Sequence, residues 1–177
     1  MTITEQEFLR AEVEDMNLTM QNVAFVNLAK SVAEYCKKFK PANVIDYGCG
    51  TGVYAEVMRQ NGFDVMALDV FKSHRDYCKK EYPDLKVIAK PKPAELMLFI
   101  EVAEHMTDEE IVKAIDSIEP RLIVFSSTPH KTPNDEEWGH INIKQEPEWI
   151  KFWDTFGYKV IEKPQTPTGW TLMLEKI

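Results

Sequence analysis

The sequence predicts a single α/β domain built on one mostly parallel sheet flanked by helices. Three observations indicate this fold class. Short apolar runs of strand length alternate along the chain with longer segments of helical periodicity. A glycine-rich turn at residues 48–52 follows the first of these runs, and an acid, Asp69, ends the second. The 177 residues suffice for one core, but not for a cofactor domain followed by a full-sized substrate domain.

The first half of the chain predicts alternating helices and strands. Apolar residues recur at spacings of three and four before Pro41, which is typical of an amphipathic helix that a proline ends. A β-branched run then stops at the glycine-rich turn, as a buried strand does. Helical spacing resumes until Asn61 and Gly62, a common helix-ending pair. The predicted elements are a helix over residues 17–40, a strand over 43–47, a helix over 53–60 and a strand over 63–70.

The second half continues the alternation and ends in a hairpin. Thr107 and Glu110 have the Thr-x-x-Glu spacing of a capping box, so a helix begins there. Pro147 opens a last helix, and Gly157 ends it. Two final runs flank a Pro/Thr/Gly turn, which predicts an antiparallel hairpin. The predicted elements are helices over residues 73–82, 107–118 and 147–156, and strands over 85–89, 96–100, 122–126, 158–162 and 170–175.

Residues 128–144 form the longest irregular stretch and carry His130 and His140. Long loops in compact domains tend to be functional, so we expect substrate contacts here. Several aromatic residues in and after this loop could line an aromatic acceptor pocket. Those at helical spacing are more typical of a core face. The aromatic residues concerned are Trp138, Trp149, Phe152, Trp153 and Phe156.

Composition narrows the class of protein. The 21 Lys and Arg against 29 Asp and Glu give a formal charge of −8, which disfavours a nucleic acid partner without excluding it. Three widely spaced cysteines without a Cys-x-x-Cys pair indicate neither a disulfide framework nor a zinc knuckle and fit a reducing compartment. Residues 1–10 lack the pattern of a signal peptide, and no apolar run approaches ~20 residues. We therefore expect a soluble, cytoplasmic protein with no membrane partner; the sequence predicts no oligomeric state.

The glycine-rich turn and Asp69 predict a nucleoside-binding site. Alternate glycines in residues 48–52 allow the main chain to approach a ligand, and an acid roughly 20 residues further on can bind ribose hydroxyls. The dinucleotide pattern Gly-x-Gly-x-x-Gly is not matched, because residue 53 is Val. Asp46, just before the turn, would repel a pyrophosphate but suits an ammonium or sulfonium group. The residues therefore predict a ligand that is cationic near this turn.

The run Asp-Tyr-Gly-Cys-Gly-Thr-Gly at residues 46–52, with Asp69, resembles the first cofactor motif and the ribose-binding acid of class I S-adenosylmethionine-dependent methyltransferases. The run Phe-Ile-Glu-Val-Ala-Glu-His at 99–105 resembles the family's fourth-strand motif. The resemblance covers nearly the whole chain. It implies a Rossmann-like, seven-stranded sheet in the order 3-2-1-4-5-7-6. An N-terminal helical cap over 1–40 would belong to the same domain as the S-adenosylmethionine-binding part over 41–177.

The resemblance also implies how the cofactor, S-adenosylmethionine, would lie. The first two glycines would lie under its methionine part, with Asp46 beside its amino group, and Asp69 would hold the ribose 2′- and 3′-hydroxyls. An apolar and an aromatic residue would flank the adenine. The family commonly places a polar residue after the third strand, but Ala89-Lys90-Pro91 follow here. This departure implies an adenine end that is more open or bound by main chain. The implied cofactor-binding residues are Asp46, Gly48, Gly50, Asp69, Val70 and Phe71.

A cluster of acids and histidines follows the fourth strand. Glu101, Glu104 and His105 are spaced i, i+3 and i+4, so a helical turn would place them on one side, near His140 of the long loop. Such a set could hold a divalent metal. The run resembles that of metal-dependent small-RNA terminal 2′-O-methyltransferases and of quinone-pathway O-methyltransferases, so it leaves the acceptor open. A purely structural role, in which Glu104 or His105 caps the turn, is the alternative.

The sequence thus predicts an S-adenosylmethionine-dependent methyltransferase acting on a small-molecule acceptor, at oxygen. The protein must align the acceptor and remove its proton. His105 and His140 are the candidate bases, with Glu104 orienting one of them. Two alternatives stay open: a metal-dependent RNA terminal 2′-O-methyltransferase and a non-catalytic S-adenosylmethionine-binding module. Cys49 is expected to be a packed residue, and His74, in a charged helix, to be solvated.

Overall fold

Residues 3–133 and 135–177 are described by a computed structural model, without the side chains of residues 136 and 137. Seven strands form one sheet in the order β3-β2-β1-β4-β5-β7-β6. The five strands from β3 to β5 run parallel, and β7 is antiparallel to both β5 and β6. The predicted seven-stranded sheet and its order are confirmed. The strands are β1 Val44–Tyr47, β2 Val65–Leu68, β3 Lys86–Ile88, β4 Leu96–Ile100, β5 Leu122–Ser126, β6 Tyr158–Glu162 and β7 Leu172–Lys176.

Helices cover both faces of this sheet. Apart from them, the described residues form three short helical turns: a π-helical turn at Ala11–Asp15 and 3₁₀ turns at Lys37–Phe39 and Ala103–His105. The helices are α1 Glu5–Arg10, α2 Val23–Cys36, α3 Val53–Gln60, α4 Lys72–Glu81, α5 Asp108–Ile118, α6 Asp135–Trp138 and α7 Glu146–Thr155. No helix in the described part of the chain is long and apolar enough to cross a membrane.

Two hydrophobic cores lie on opposite faces of the sheet because successive strand residues point to opposite sides. Val44 belongs to the core under α2, α3 and α4, whereas the next residue, Ile45, belongs to the core under α5 and α7. Trp149 and Trp153 of α7 lie in the second core and are only 2% and 0% exposed. Their helical spacing therefore reflects a core face and not an acceptor pocket.

The predicted helix over residues 17–40 is too long. Helix α2 begins at Val23 because the side chain of Asn22 accepts a hydrogen bond from the main-chain N–H of Phe25, which is the geometry of an N-cap. At its other end α2 gives way to the 3₁₀ turn. Within the predicted helical cap over residues 1–40, no separate helix was predicted at α1 and no π-helical turn after it, and α6 was not predicted inside the long loop. Residues 1, 2 and 134, which belong to the predicted cap and loop, lie outside the described residues.

The N-terminal 40 residues contain two parts, one that packs against the sheet and one that packs near α4. Helix α2 buries Ala29, Val32 and Cys36 against the sheet. Helix α1 instead packs near α4, where the Ser73 hydroxyl donates to the main-chain oxygen of Glu5 at 3.2 Å. This first part, with the π-helical turn, brings Phe8 and Glu12 to the carboxyl ends of the strands. The domain boundary at residue 40 stays a prediction.

Candidate cofactor and acceptor site

A cavity of about 650 Å³ opens at the carboxyl ends of β1, β2 and β4, where ligands bind in open parallel sheets. We call it the site cavity. Most of the predicted site residues line it, whereas Asp46, Glu104 and His140 lie outside its lining. The predicted residues that line the site cavity are Gly48, Gly50, Asp69, Val70, Phe71, Glu101 and His105.

The glycine-rich turn presents its main chain to the site cavity. Gly48 and Gly50 have φ values of 73° and 51°, in the left-handed region that favours glycine. A Cβ on Gly48 would lie 2.6 Å from a methyl group of Val102, and one on Gly50 would lie 3.2 Å from a carboxylate oxygen of Glu12. Side chains at these positions would clash with the cavity wall. The turn therefore forms a smooth cradle that suits close approach of a ligand to the main chain.

Asp69 follows β2 and is fixed by main-chain N–H groups. Its two carboxylate oxygens accept hydrogen bonds from Gly50 N at 3.0 Å and from Phe71 N at 2.9 Å. Burial raises the pKa of Asp69, while the neighbouring His74 and these two N–H groups oppose the increase. Each oxygen can accept a further hydrogen bond. The arrangement fits two adjacent ribose hydroxyls, as expected for the nucleoside part of S-adenosylmethionine.

Asp46 lies in β1, directly before the turn. It is buried, and its Oδ2 atom has no hydrogen-bond partner in the described part of the chain. Burial raises its pKa to about 7, against a hydrogen bond from the main chain of Ala55, and the Asp69 carboxylate adds to the increase. A buried carboxyl with an unpartnered oxygen would be stabilised as an anion by a cationic ligand. Asp46 therefore suits the charge of S-adenosylmethionine.

The predicted adenine end is open on one side. Val70 is 82% exposed at the rim, and Phe71 lies in the wall. Ala89 and Pro91 offer no side-chain hydrogen-bonding group on the opposite side. Polar groups come instead from α5, where only their spacing along a capped helix could have indicated them. These lining residues of α5 are Glu110, Lys113 and Ser117.

Glu104, His105 and His140 meet at the acceptor end of the site, although His140 is distant in sequence. One ligand atom from each residue lies within 4.8 Å of the others, and the two imidazole rings are 4.8 Å apart. The main-chain oxygen of Glu104 accepts from Ile141 N at 2.7 Å, which holds the long loop against the turn after β4. His140 is oriented by Asp135, whose carboxylate lies 3.2 Å from its Nδ1 atom.

Burial sets the protonation of this cluster. Glu104 is only 1% exposed, and burial together with the Glu101 carboxylate raises its pKa to about 8. Its Oε2 atom has no partner in residues 3–133 and 135–177. Burial, and secondarily His140, lowers the pKa of His105 to about 4, so its imidazole is neutral at pH 7. A neutral imidazole can accept a proton or bind a metal.

The structure does not place Glu101 with the other three residues. Its backbone is left-handed, with φ 54°, and its side chain turns toward β5 and β7. There it accepts hydrogen bonds from the Ser126 hydroxyl and, at 3.1 Å, from the indole N–H of Trp170. The prediction that Glu101, Glu104 and His105 share one side is therefore wrong for Glu101, because the chain makes its 3₁₀ turn two residues later. Glu101 still lines the site cavity.

A divalent cation fits the remaining three residues. They offer a carboxylate oxygen and two imidazole nitrogens, a donor set that suits first-row divalent metals. The unpartnered Glu104 oxygen is a buried ligand atom of the kind such an ion would satisfy. Because only these three groups of the described residues would bind the ion, further coordination positions would remain for an acceptor.

Phe8, Glu12 and His74 also line the site cavity, although they were not predicted from the sequence as site residues. The Phe8 ring lies 5.7 to 6.1 Å, centre to centre, from the rings of Phe71, His74, His105 and Trp138, so it stands between the cofactor and acceptor ends. The prediction that His74 is solvated is wrong, since it is 1% exposed. It is buried because the N-terminal segment covers α4, a contact that helical spacing cannot reveal.

Comparison with known proteins agrees with this geometry. A family model described as a methyltransferase domain matches residues 20–163. The chain is 27% identical over 136 residues to a ubiquinone biosynthesis O-methyltransferase of Rickettsia typhi, a match that covers 68% of this chain and 54% of the relative. The chain thus spans about half the length of the curated relatives it matches.

Two solved structures share the fold. Magnesium protoporphyrin IX methyltransferase from Synechocystis with bound SAH has a TM-score of 0.68 at 14% identity, covering 98% of this chain and 100% of that one. The methyltransferase domain of bacterial CtHen1 has a TM-score of 0.61 at 16% identity, covering 85% and 98%. The chain belongs to the methyltransferase domain family, with the fold of the class I S-adenosylmethionine-dependent methyltransferases. The predicted family and cofactor are confirmed.

Proposed function

We propose that the protein transfers a methyl group from S-adenosylmethionine to a hydroxyl oxygen of a small-molecule acceptor. The observation that carries the proposal is the imidazole of His105, which lines the site cavity and lies within 4.8 Å of ligand atoms of buried Glu104 and of His140. The names of the Rickettsia relatives, which are O-methyltransferases, support oxygen as the atom methylated.

The residues of the chain would divide the reaction between them. Bound S-adenosylmethionine supplies an activated methyl group on a sulfonium. Gly48, Gly50 and Asp69 would hold and orient its amino acid and ribose parts. His105 would remove the hydroxyl proton of the acceptor, and Glu104 would accept a hydrogen bond that fixes the acceptor or the protonated imidazole. His140 would help to close this end against water.

Aromatic side chains suggest the shape of the acceptor. The Phe8 ring lies 6.1 Å from that of His105 and 5.7 Å from that of Trp138, both edge to face. A wall of this kind suits a flat ring, since aromatic pairs favour such contacts. We therefore propose a phenol or catechol as the acceptor class.

The experiment measures methyl transfer to a panel of phenols and catechols with and without His105. His105→Ala should lower turnover by about 10²- to 10⁴-fold, the usual contribution of a general base, and leave cofactor affinity within twofold. His130→Ala is the control, because His130 lies in the same loop but is exposed and stacks against Trp170. Undiminished turnover in His105→Ala would remove the proposed base. Cofactor binding without transfer to any acceptor would favour a non-catalytic module.

A metal-dependent RNA terminal 2′-O-methyltransferase is the second candidate. The observation that favours it is the cluster of Glu104, His105 and His140, which could hold a divalent cation and thereby lower the pKa of an acceptor hydroxyl. The formal charge of −8 counts against an RNA partner. Assays with EDTA and with added Mn²⁺, run on RNA ends and on catechols, distinguish the two. Transfer to RNA ends alone would overturn the small-molecule proposal.

The cytoplasm is the proposed location. The proposal is supported by three cysteines that are buried as free thiols. Fractionation of expressing cells would test it.

A further inference from the structure

Glu12 brings a carboxylate to the glycine-rich turn from outside the sheet. It lies in the π-helical turn Ala11–Asp15. Such turns are rare in proteins, and those that occur are frequently found at functional sites. Its two carboxylate oxygens lie 3.2 and 3.4 Å from where a Cβ of Gly50 would be, and the side chain lines the site cavity. The cavity therefore has a carboxylate near Gly50 in addition to that of Asp69.

The N-terminal segment is fastened to the glycine-rich turn on the C-terminal side of Glu12. The main-chain oxygen of Glu12 accepts from Leu18 N at 2.8 Å. Thr51, inside the glycine-rich turn, donates its hydroxyl hydrogen bond to the main-chain oxygen of Leu18. The main chain that carries Glu12 is thus tied directly to the turn that the cofactor contacts.

His74 holds the carboxylate itself. Its Nε2 atom lies 3.1 Å from Glu12 Oε2, and its Nδ1 atom lies 3.2 Å from the Ser73 hydroxyl. At 1% exposure, His74 has little freedom to move. Because both nitrogens of this buried imidazole have hydrogen-bond partners, His74 fixes the direction of the Glu12 side chain.

We propose that Glu12 is a further cofactor-binding residue, whose carboxylate binds the α-ammonium group of S-adenosylmethionine, and that His74 is its positioning residue. The inference rests on S-adenosylmethionine as the cofactor. The adenine and ribose are neutral, and Asp69 already offers two oxygens for the ribose. The cationic groups of the cofactor are in its methionine part. Of these, only the ammonium has N–H groups that donate to a carboxylate.

The test compares two cofactor fragments by calorimetric titration. S-Adenosylhomocysteine keeps the ammonium group and lacks the sulfonium, whereas 5′-methylthioadenosine lacks the whole amino acid part. Glu12→Gln should weaken binding of S-adenosylhomocysteine by about tenfold or more and change that of methylthioadenosine by less than about twofold. Glu14→Gln, an exposed carboxylate of the same turn, should change neither.

Each other outcome overturns the inference. Equal weakening of both fragments would place Glu12 at the ribose or make it a support of the fold. No weakening of either would make it a tether of the N-terminal segment only. Failure of the wild-type protein to bind S-adenosylhomocysteine at all would instead contradict the cofactor itself. Methylthioadenosine affinity reports in every variant whether the nucleoside part of the site is intact.

His74 is tested through Glu12. His74→Gln should weaken binding of S-adenosylhomocysteine but not of methylthioadenosine. Because it acts through Glu12, the Glu12→Gln/His74→Gln double variant should bind no more weakly than Glu12→Gln alone, within about twofold. Additive losses would show that His74 acts independently and would overturn its positioning role. If His74→Gln does not fold, the Glu12→Gln and Glu14→Gln pair still decides whether the ammonium is bound.

Discussion

The two ends of the site cavity are built differently. At the cofactor end, Asp69 has both oxygens bonded by main-chain N–H groups, and the glycine-rich turn has its conformation set by backbone. At the acceptor end, Glu104 keeps an oxygen without a partner in the described part of the chain, and the nearby His140 comes from a long loop. Asp69 is therefore held in place without a ligand, whereas the unpartnered oxygen of Glu104, like that of the buried Asp46 before the glycine-rich turn, would be satisfied by a proton or a cation.

This difference shows how one fold can keep its cofactor and change its acceptor. Groups fixed by main chain at the ends of neighbouring strands depend on the sheet itself. Groups brought by loops and by the N-terminal segment can change without disturbing the sheet. Phe8 stands at the boundary, with ring contacts to Phe71 at the cofactor end and to His105 at the acceptor end.

Replacing Asp69 tests the cofactor end with the largest expected effect. Asp69→Ala should weaken S-adenosylmethionine binding by about 100-fold or more, because it removes two charged acceptors and leaves the N–H groups of Gly50 and Phe71 without their partner. Calorimetric titration measures the affinity, and circular dichroism checks the fold. Asp76→Ala is the matched control, since this exposed carboxylate of α4 pairs only with Lys72 in the described residues. An affinity within tenfold of wild type would mean that Asp69 does not hold the ribose.

The same contrast explains which parts of the site the sequence could predict. Gly48, Gly50 and Asp69 were identified because a glycine-rich turn follows one predicted strand and an acid lies at the end of the next, and parallel strands bring those ends to one edge. His74 was misjudged because its burial depends on α1 and the π-helical turn, which have no strong periodicity of their own. Glu101 was misjudged because a single left-handed residue turns it away from Glu104. Sequence spacing indicates neighbours within one element, but not the contacts between a loop and a terminal segment.

The fold was predicted more completely than the site for a related reason. The bounds of β4, β5, β6 and α3 agree residue for residue with the predicted runs. Strands β4 and β5 are continuous apolar runs that are buried along nearly their whole length, and α3 buries the face that its helical spacing defines. The start of α2 was missed by six residues: Asn22 caps the helix, and the apolar residues that predicted it begin only at Val23.

Gly48→Ala tests whether the backbone shape of the cofactor end matters by itself. The new Cβ would lie 2.6 Å from Val102, in a residue with φ 73°, so we expect about tenfold weaker binding and lower stability. Calorimetry and thermal unfolding measure the two effects. Adding Val102→Ala should remove the clash and restore part of the stability, but not the strain of about 1 to 2 kcal/mol that a left-handed alanine costs.

Gly62→Ala is the control for that strain. Gly62 has φ 89°, and nothing lies within 4 Å of its would-be Cβ, so it should lose stability to strain alone and keep full cofactor affinity. Equal loss of affinity in Gly48→Ala and Gly62→Ala would mean that general destabilisation, and not the shape of the turn, weakens binding.

The effect expected at Asp46 depends on pH. Burial raises its pKa to about 7, above the value of about 3.9 in an unfolded chain, so the cofactor-free fold favours the protonated form. Protonated Asp46 therefore makes its full contribution to the stability of the cofactor-free fold below the unfolded pKa. This contribution is lost as the pH rises through about 7. A cationic cofactor reverses this preference, because it favours the anion. Affinity should then fall by up to about tenfold per pH unit below pH 7 and level off above it.

Asp46→Asn tests both preferences, that of the cofactor-free fold for protonated Asp46 and that of the bound cofactor for the anion, because the amide has the same shape but does not titrate. It should bind S-adenosylmethionine more weakly than wild type at pH 8, with a flatter pH profile between pH 5 and 7, and should unfold at a higher temperature than cofactor-free wild type at pH 8. Calorimetry and thermal unfolding across this range measure both. A wild-type slope retained in Asp46→Asn would assign the titration to another carboxyl. Lower stability of Asp46→Asn than of wild type at pH 8 would show that ionised Asp46 is already satisfied within the fold and does not need a cationic ligand.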